Sequence, residues 1–530
     1  MVRPYMPKSS QPIIGCRLMS VLLPSQSAIV SVTRLAKAAL DYLSLGSKSF
    51  RRTRVGEFFM KQTLILFVFA AVALGKPLAE RPNFILCMAD DQGWGDTGYN
   101  GHPILKTPVM DEMARTGLRF DRFYSAAAVC SPTRGSVMTG RNPNRFGCFA
   151  WGHTLRPQEI TIAEALKKAG YTTAHFGKWH IGSMRADGAA SPGKSGFDDW
   201  FSSPNFYENS PLFSHNGQVI ETDGESSHVT TDLALDWIGK AANSDKPFLA
   251  VIWFGNPHSP HVAVDKYKKM YADQPDGAAH FYGEVTAMDA ALGELRKGIR
   301  RLGVADNTVL WYCSDNGAIP KGSTGGLRAR KGSLYEGGIR VPAIIEWPAR
   351  IKSNRITKTN ANTSDIYPTL LELAGAPMPK NQPVLDGTSL VPLLNGKARQ
   401  REKPMGFWTY QAKGRGRKSR AMLEVLRQEQ LAGKQKPAEP EGQIDRQYPI
   451  DTLPGHAAWI DGDYKLHRAP MKKKSVEFAY ELYHLGDDPK EQQNLLGSTK
   501  KLVARVDRMK AGLARWQKSV VNSLNGGDYR

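Results

Sequence analysis

Four apolar runs in this chain end on side chains able to do chemistry. "NFILCMADD" stops at Asp90 and Asp91, "TTAHFGKWH" leads into Lys178 and His180, "PFLAVIWFGNPHSPH" into His258, and "TVLWYCSDNG" into Asp315 and Asn316. Asp90, Asp91, Asp315 and Asn316 offer oxygen ligands only, which suits a hard cation such as Ca²⁺ or Mg²⁺ and argues against zinc. Each pair taken singly also fits a helix cap or a turn; the recurrence at four run ends favours a site. A divalent ion beside Lys178, His180, His258 and Arg134 makes a strongly cationic pocket. Such a pocket fits a tetrahedral oxyanion, sulfate or phosphate, held for nucleophilic attack.

The attacking group is sought in "AVCSPTRGSVMTGR". Pro132 suits the first turn of a helix, which sets Cys130 at its N-terminus and Arg134 one turn further on, near the same face. A helix N-terminus favours anions. The spacing alone leaves Cys130 open as a structural thiol, a nucleophile or the precursor of another group.

The elements that position these residues read as an α/β fold. From Arg81 short apolar runs alternate with helical patterns, predicting a sheet with helices on its faces. "KTPVMDEMARTG" is a helix with Thr107 as N-cap, Pro108 at the first position and Gly117 past the end, and "TIAEALKKAG" has a Thr161–Glu164 capping box and Gly170 at its C-terminus. In open α/β sheets ligands bind outside the carboxyl ends of the strands, so groups far apart in sequence can converge there. After residue 404 the signals become antiparallel. "AAWIDGDYKLHR" is a hairpin turning at Asp461-Gly462, "EFAYELYHL" a further strand, and "KLVARVDRMKAGLARWQKSV" an amphipathic closing helix. The expected organisation is a catalytic domain over 81–403 and a smaller C-terminal domain, an antiparallel sheet plus helix, over 404–530. The segment 411–450 is expected to be a loop-like, partly disordered basic insertion.

The formal charge of +21 over 530 residues is unevenly placed. Residues 1–59 carry nine bases against two acids, and 411–436 carry eight bases against Glu424 and Glu429. Solvated segments explain both better than nucleic-acid binding does; a generally basic protein suited to an anionic substrate remains. "MKQTLILFVFAAVALGKPLAE" from Met60 has a lysine-bearing start, an apolar run and small residues at Ala73 and Gly75, the pattern of a secretory signal over 60–75. It is too short for an ordinary membrane span. The expectation is initiation at Met60, with 1–59 an over-called extension, and a secreted or periplasmic protein starting near Lys76. Cys87, Cys130, Cys148 and Cys313 could pair, but they are too few to be a disulfide scaffold.

"CSPTRGSVMTGR" together with "GYTTAHFGKWHIG" resembles the two signatures of the formylglycine-dependent sulfatases, and "NFILCMADDQGWGD", "CSDNG", "KGSLYEGGIRVP" and "ELYHLGDDPKEQQNL" are similar to that family in the same order. The resemblance covers roughly residues 81–495 and implies the alkaline-phosphatase-like fold, a large mixed sheet sandwiched by helices. It implies that a maturation enzyme oxidises Cys130 to formylglycine, whose hydrate supplies a hydroxyl nucleophile. It further implies Ca²⁺ held by Asp90, Asp91, Asp315, Asn316 and the modified Cys130. Arg134 and Lys178 would stabilise the hydrate, and His180 would be the base that returns the sulfated intermediate to aldehyde. Lys331 and His258 would contact the sulfate and bridging oxygen, with His258 donating a proton to the leaving alcohol. The implied substrate is a sulfated carbohydrate.

Two substrate contacts follow less directly. "GFDDWFSSPN" resembles the corresponding stretch of N-acetylgalactosamine-6-sulfatases, which makes Asn205 a candidate, and His456 in "PGHAAWIDGDYKL" could reach the pocket rim. Arg330, ahead of Lys331, departs from the family's small residues and is expected to charge the substrate side. Two alternatives stand beside a sulfatase: a phosphonate or phosphate monoester hydrolase of the same superfamily, and a non-catalytic sulfated-glycan-binding protein.

Overall fold

Strand β1 (Asn83–Ala89) shows why the central strands carry no polar face. Phe84, Leu86 and Met88 enter one apolar cluster while Ile85, Cys87 and Ala89 enter another, so both faces of the strand are buried. The computed structural model describes residues 81–529 except 352–353, 417 and 473–476. The stretch 1–59 and the signal over 60–75 lie outside the described residues.

Ten further strands join β1: β2 (Leu118–Tyr124), β3 (Thr172–Lys178), β4 (Asp199–Ser203), β5 (Leu212–His215), β6 (Gln218–Glu221), β7 (Phe248–Trp253), β8 (Thr308–Ser314), β9 (Arg340–Glu346), β10 (Arg355–Thr357) and β11 (Ala361–Asn362). The order is β10-β2-β9-β8-β1-β7-β3-β4-β5-β6, with β11 also on β2. The five neighbours β8, β1, β7, β3 and β4 are mutually parallel, while β9, β5 and β6 pair antiparallel. This is the mixed sheet expected.

Helices cover both faces. α1 (Pro108–Thr116) contributes Met110 and Met113 to the face shared with Ile85. α2 (Cys130–Thr139) and α3 (Ile162–Lys168) contribute Val137, Met138, Ile162 and Leu166 to the opposite face. The Thr161–Glu164 capping box on α3 forms in both directions. Thr107 precedes α1 but its side chain does not cap it: Thr107 Oγ1 accepts from the Gly98 N–H at 2.8 Å. The cap comes from far away, as Asp289 accepts from the Val109 and Met110 N–H groups at 3.0 and 2.8 Å.

The change of grammar near 404 falls at β12 (Met405–Trp408), which pairs antiparallel in the order β12-β13-β14-β15 with β13 (Ala457–Asp461), β14 (Tyr464–Pro470) and β15 (Phe478–His484). Asp461 pairs with Tyr464, so the two turn residues are Gly462 and Asp463, one position beyond the expected Asp461-Gly462. Met405, Phe407, Ala458 and Ile460 pack with Tyr124, Leu334 and Ile339 from the main sheet region. The expectation of a loop over 411–450 is corrected: it contains helix α4 (Ser419–Leu431), whose Leu423 and Leu426 are buried. The closing helix α5 (Lys500–Leu524) forms as expected.

Candidate active site

The polar groups lie at or past the strand ends: Asp90 and Asp91 directly after β1, Asp315 and Asn316 directly after β8, Lys178 as the last residue of β3, and His258 in the loop five residues past β7. Because β8, β1, β7 and β3 are parallel neighbours, these groups emerge at one edge. The chain needs unusual backbone there. Gly177 has φ +91, and a Cβ on it would lie 2.0 Å from the carbonyl oxygen of Trp253. Asp91 and His180 adopt φ of +73 and +60 without being glycine, the kind of stored strain found where surrounding structure fixes a functional side chain.

Buried ion pairs knit the groups together. Lys178 Nζ lies 2.6 Å from Asp90 Oδ2. Arg134 donates through Nη2 and Nε to Asp315 Oδ2 at 2.7 and 3.2 Å and through Nη1 to the Lys178 carbonyl at 3.0 Å, with its guanidinium 5.1 Å from the Trp253 ring centre. Lys331 Nζ and the Asn316 amide both donate to Asp91 Oδ1, and the Asp91 N–H donates to Asp315 Oδ1 at 3.1 Å. Lys331 is brought in by its loop, whose Gly332 N–H donates to the carbonyl of Ala128, two residues before Cys130. His258 Nε2 stands 3.7 Å from Asp91 Oδ2, its ring stacked on Phe206 at 4.3 Å, while Nδ1 donates to the Ser259 carbonyl at 2.6 Å.

Burial and crowding then set the charges. Burial pushes Asp90 up to about 8, helped by the Asp315 and Asp91 carboxylates and opposed by Lys178 and Arg134. Burial also acts to raise Asp91, but Lys331, His258 and Lys178 outweigh it and hold that carboxyl well below the usual range. His258 is held down to about 4, first by burial and then by Lys178 and Lys331. Cys130 starts α2 with no side-chain cap and no acidic residue in the first turn. Burial raises its thiol against the pull of Lys178 and Lys331, and a protonated thiol is a poor nucleophile.

The donor set fits a hard divalent cation. Asp90 Oδ1 and Asn316 Oδ1 are buried acceptors that receive no hydrogen bond among the described residues, and Asp90, Asp91 and His258 present ligand atoms within 4.8 Å of one another. A dication among three carboxylates offsets both their desolvation and their mutual repulsion.

The structure thus joins Asp90, Asp91, Arg134, Lys178, His258, Asp315, Asn316 and Lys331 in one network, with Cys130 in its field and buried His180 two residues beyond Lys178. Asn205 is buried at the end of β4, its N–H donating to Ser419 Oγ at 3.0 Å at the start of α4. His456 turns inward: its Nε2 donates to His467 Nδ1 at 2.9 Å, and His467 Nε2 donates to Glu491 at 2.7 Å within the small sheet. Arg330 is exposed, and its Nη1 donates to the carbonyls of Ile319 and Gly322 at 2.8 and 2.6 Å, which hold the guanidinium in place and leave its charge intact. Cys87, Cys130, Cys148 and Cys313 are all buried and form no disulfide among the described residues, so the possible pairing is not made. Sequence inspection missed Trp253, which carries no polar signal at the end of its apolar run. It also missed Ser131, whose Oγ accepts from the Gly152 N–H at 2.8 Å and holds a loop against the start of α2.

The sulfatase family profile matches residues 82–376, and the profile for the C-terminal part of N-sulphoglucosamine sulphohydrolase matches 329–424. This chain belongs to the sulfatase family. Mouse N-acetylgalactosamine-6-sulfatase is 32% identical over 389 residues, covering 65% of this chain and 72% of its own length. Human arylsulfatase A is 30% identical over 470 residues, covering 81% and 86%. The crystal structure of Ps i-CgsB in complex with k-i-k-neocarrahexaose superposes with a TM-score of 0.69 at 24% identity, covering 83% of this chain and 93% of that one, which shows the shared fold. This sulfatase is a sulfuric ester hydrolase of alkaline-phosphatase-like fold. None of its described helices is long and apolar enough to cross a membrane.

Proposed function

We propose that this sulfatase removes the sulfate ester of a carbohydrate, a 6-sulfated N-acetylgalactosamine or galactose unit, by way of a formylglycine made from Cys130. The observation that carries the reading is a buried, protonated thiol at an uncapped helix N-terminus, in the field of the Asp90 and Asp315 carboxylates and of the cations of Lys178 and Lys331. The formylglycine supplies a hydroxyl nucleophile when hydrated. Asp90, Asp91, Asp315 and Asn316 would hold Ca²⁺, whose charge polarises the bound ester oxygens.

The chain's own residues do the rest. Arg134 fixes Asp315 and the backbone of Lys178, so the charges around the ester cannot reorganise as the bond breaks. Lys331, anchored on Asp91, presents its ammonium to the sulfate. His180 takes the proton of the nucleophile's remaining hydroxyl. His258 has its Nδ1 committed to the Ser259 carbonyl, so Nε2 is the atom that faces the leaving oxygen and carries the proton to it; an anionic ester beside the ring favours the imidazolium. Asn205 is the substrate contact on the sugar side. The choice of sugar rests on the relatives named N-acetylgalactosamine-6-sulfatase and on "GFDDWFSSPN".

Secretion from a signal over 60–75 belongs to the same reading, and N-terminal sequencing of exported protein tests it: a start near Lys76 is expected, a start upstream of Met60 refutes it. For the chemistry, the mass of the Cys130 peptide from the native host shows an aldehyde in place of the thiol; active protein with an unmodified cysteine throughout sinks the mechanism. Lys331→Ala and His258→Ala each lower turnover by about 10²–10³ while leaving formylglycine formation intact. Wild type that cleaves phosphonate monoesters far better than any sulfate restores the alternative, and activity only on sugars sulfated elsewhere removes the 6-sulfate assignment alone.

A further inference from the structure

The insertion over 411–450 builds one wall of a cleft of about 810 Å³, a size typical of ligand sites. The other wall comes from beside the catalytic groups. Pro204 follows Ser203, the β4 partner of Lys178 in the sheet, and Ser183 lies three residues beyond His180. A third link runs through the nucleophile: the Arg415 N–H donates to the Trp151 carbonyl at 2.8 Å, and the next residue, Gly152, donates to Ser131, the neighbour of Cys130.

Several polar groups pin the insertion in place. Glu429 pairs with Arg185 and Arg427 with Glu221, each at 2.6 Å. Gln430 bonds the β5–β6 hairpin twice, accepting from the Val219 N–H and donating to the Gly217 carbonyl, and Arg420 donates to the Ser210 carbonyl. Arg415 and Lys418 are different. Both line the cleft and are exposed, and their side chains join no hydrogen bond or ion pair among the described residues. The lining also carries the apolar side chains of Met184, Leu423 and Leu426. Of the two carboxylates lining the cleft, Glu441 accepts from the Ala190 N–H, and Glu439 is exposed, suited to a sugar hydroxyl. Apolar side chains meet the C–H faces of sugar rings while cations meet anionic substituents.

We propose that Arg415 and Lys418 form a second anion subsite that holds a carboxylate or sulfate on the sugar adjoining the one being desulfated, so that this sulfatase selects charged oligosaccharides over isolated sulfated sugars. The proposal rests on the carbohydrate-sulfatase reading above. It gives Arg415 and Lys418, within the basic run of 411–436, a purpose that the ion pairs and hydrogen bonds holding the insertion do not supply.

The test compares wild type with Arg415→Ala/Lys418→Ala and with Arg415→Gln/Lys418→Gln. Substrates are a small aryl sulfate and three disaccharides sulfated on the sugar to be desulfated, whose neighbouring sugar is neutral, carries a carboxylate, or carries a second sulfate. Each disaccharide also serves as a competitor of aryl sulfate hydrolysis, so the subsite is read from Ki even if wild type desulfates none of them; that last result overturns the carbohydrate reading and not the subsite. The expected result is a rise of about tenfold in KM or Ki for a disaccharide with an anionic neighbour, with aryl sulfate kinetics and the neutral-neighbour disaccharide unchanged. Which anionic disaccharide responds identifies the substituent. Equal changes on every substrate in both double variants, or no change on any, overturn the proposal.

Discussion

Replacing Asp386 by Asn removes the brace that locks the closing helix onto the segment that follows the Cys130 helix. Asp386 accepts from Arg145 Nε and Nη2 at 2.7 and 2.9 Å, from the Asn142 N–H at 2.6 Å and from Trp516 Nε1 at 2.8 Å on α5. Its N–H and that of Gly387 both donate to the carbonyl of Gly140, the residue that ends α2. Burial acts to raise this carboxyl, but Arg145 and the converging N–H donors prevail and hold it down to about 2, against an ordinary 3.8. A depression of about 1.8 units corresponds to about 2.4 kcal/mol of stability at neutral pH. The folded value lies below the unfolded one, so this contribution is complete above the unfolded pKa and is lost as pH falls toward the folded one. Urea denaturation of wild type and Asp386→Asn, followed in parallel, gives the difference directly. The expected gap is about 2–4 kcal/mol at pH 7, because a buried charged hydrogen bond is also lost, and it stays level down to about pH 4 before narrowing. A gap that closes between pH 7 and pH 5, or no gap, refutes the assignment of the brace to an ionised Asp386.

Two further outcomes follow from the site. Gly177→Ala places a Cβ 2.0 Å from the Trp253 carbonyl at a φ of +91, so it costs about 3 kcal/mol or more and shifts Lys178; thermal unfolding and aryl sulfate turnover fall together, and an unaffected variant contradicts the described backbone. Chelation of the purified enzyme abolishes turnover, and Ca²⁺ restores it while raising stability by about 2.7 kcal/mol at a concentration one hundred times its Kd; calorimetry with no response to Ca²⁺ or Mg²⁺ removes the metal from the oxygen cluster.

The sequence by itself determined what local rules determine. A helix beginning at Cys130, the Thr161–Glu164 box, the fully buried strands and the abrupt polar endings at Asp90, Lys178 and Asp315 are all written within about ten residues of each feature, and the structure has each of them. Because the strands are parallel and wound with helices between them, their polar ends had to share one edge. Tertiary structure decided which long-range partner won where several were chemically equal. Thr107 was a sound cap locally, yet Asp289, 182 residues on, reaches the same N–H groups because α1 packs against the helix that carries it. Arg330 had no fixed direction on paper, and the carbonyls of Ile319 and Gly322 set it. His456 had a direction available toward the pocket and takes the one fixed by His467 and Glu491. The basic run after 411 carried a solvated composition, but Leu423 and Leu426 found apolar surface to cover, and that burial makes it a helix beside the active site. Periodicity and capping are properties of neighbours in sequence; partners separated by hundreds of residues are set only when the core closes.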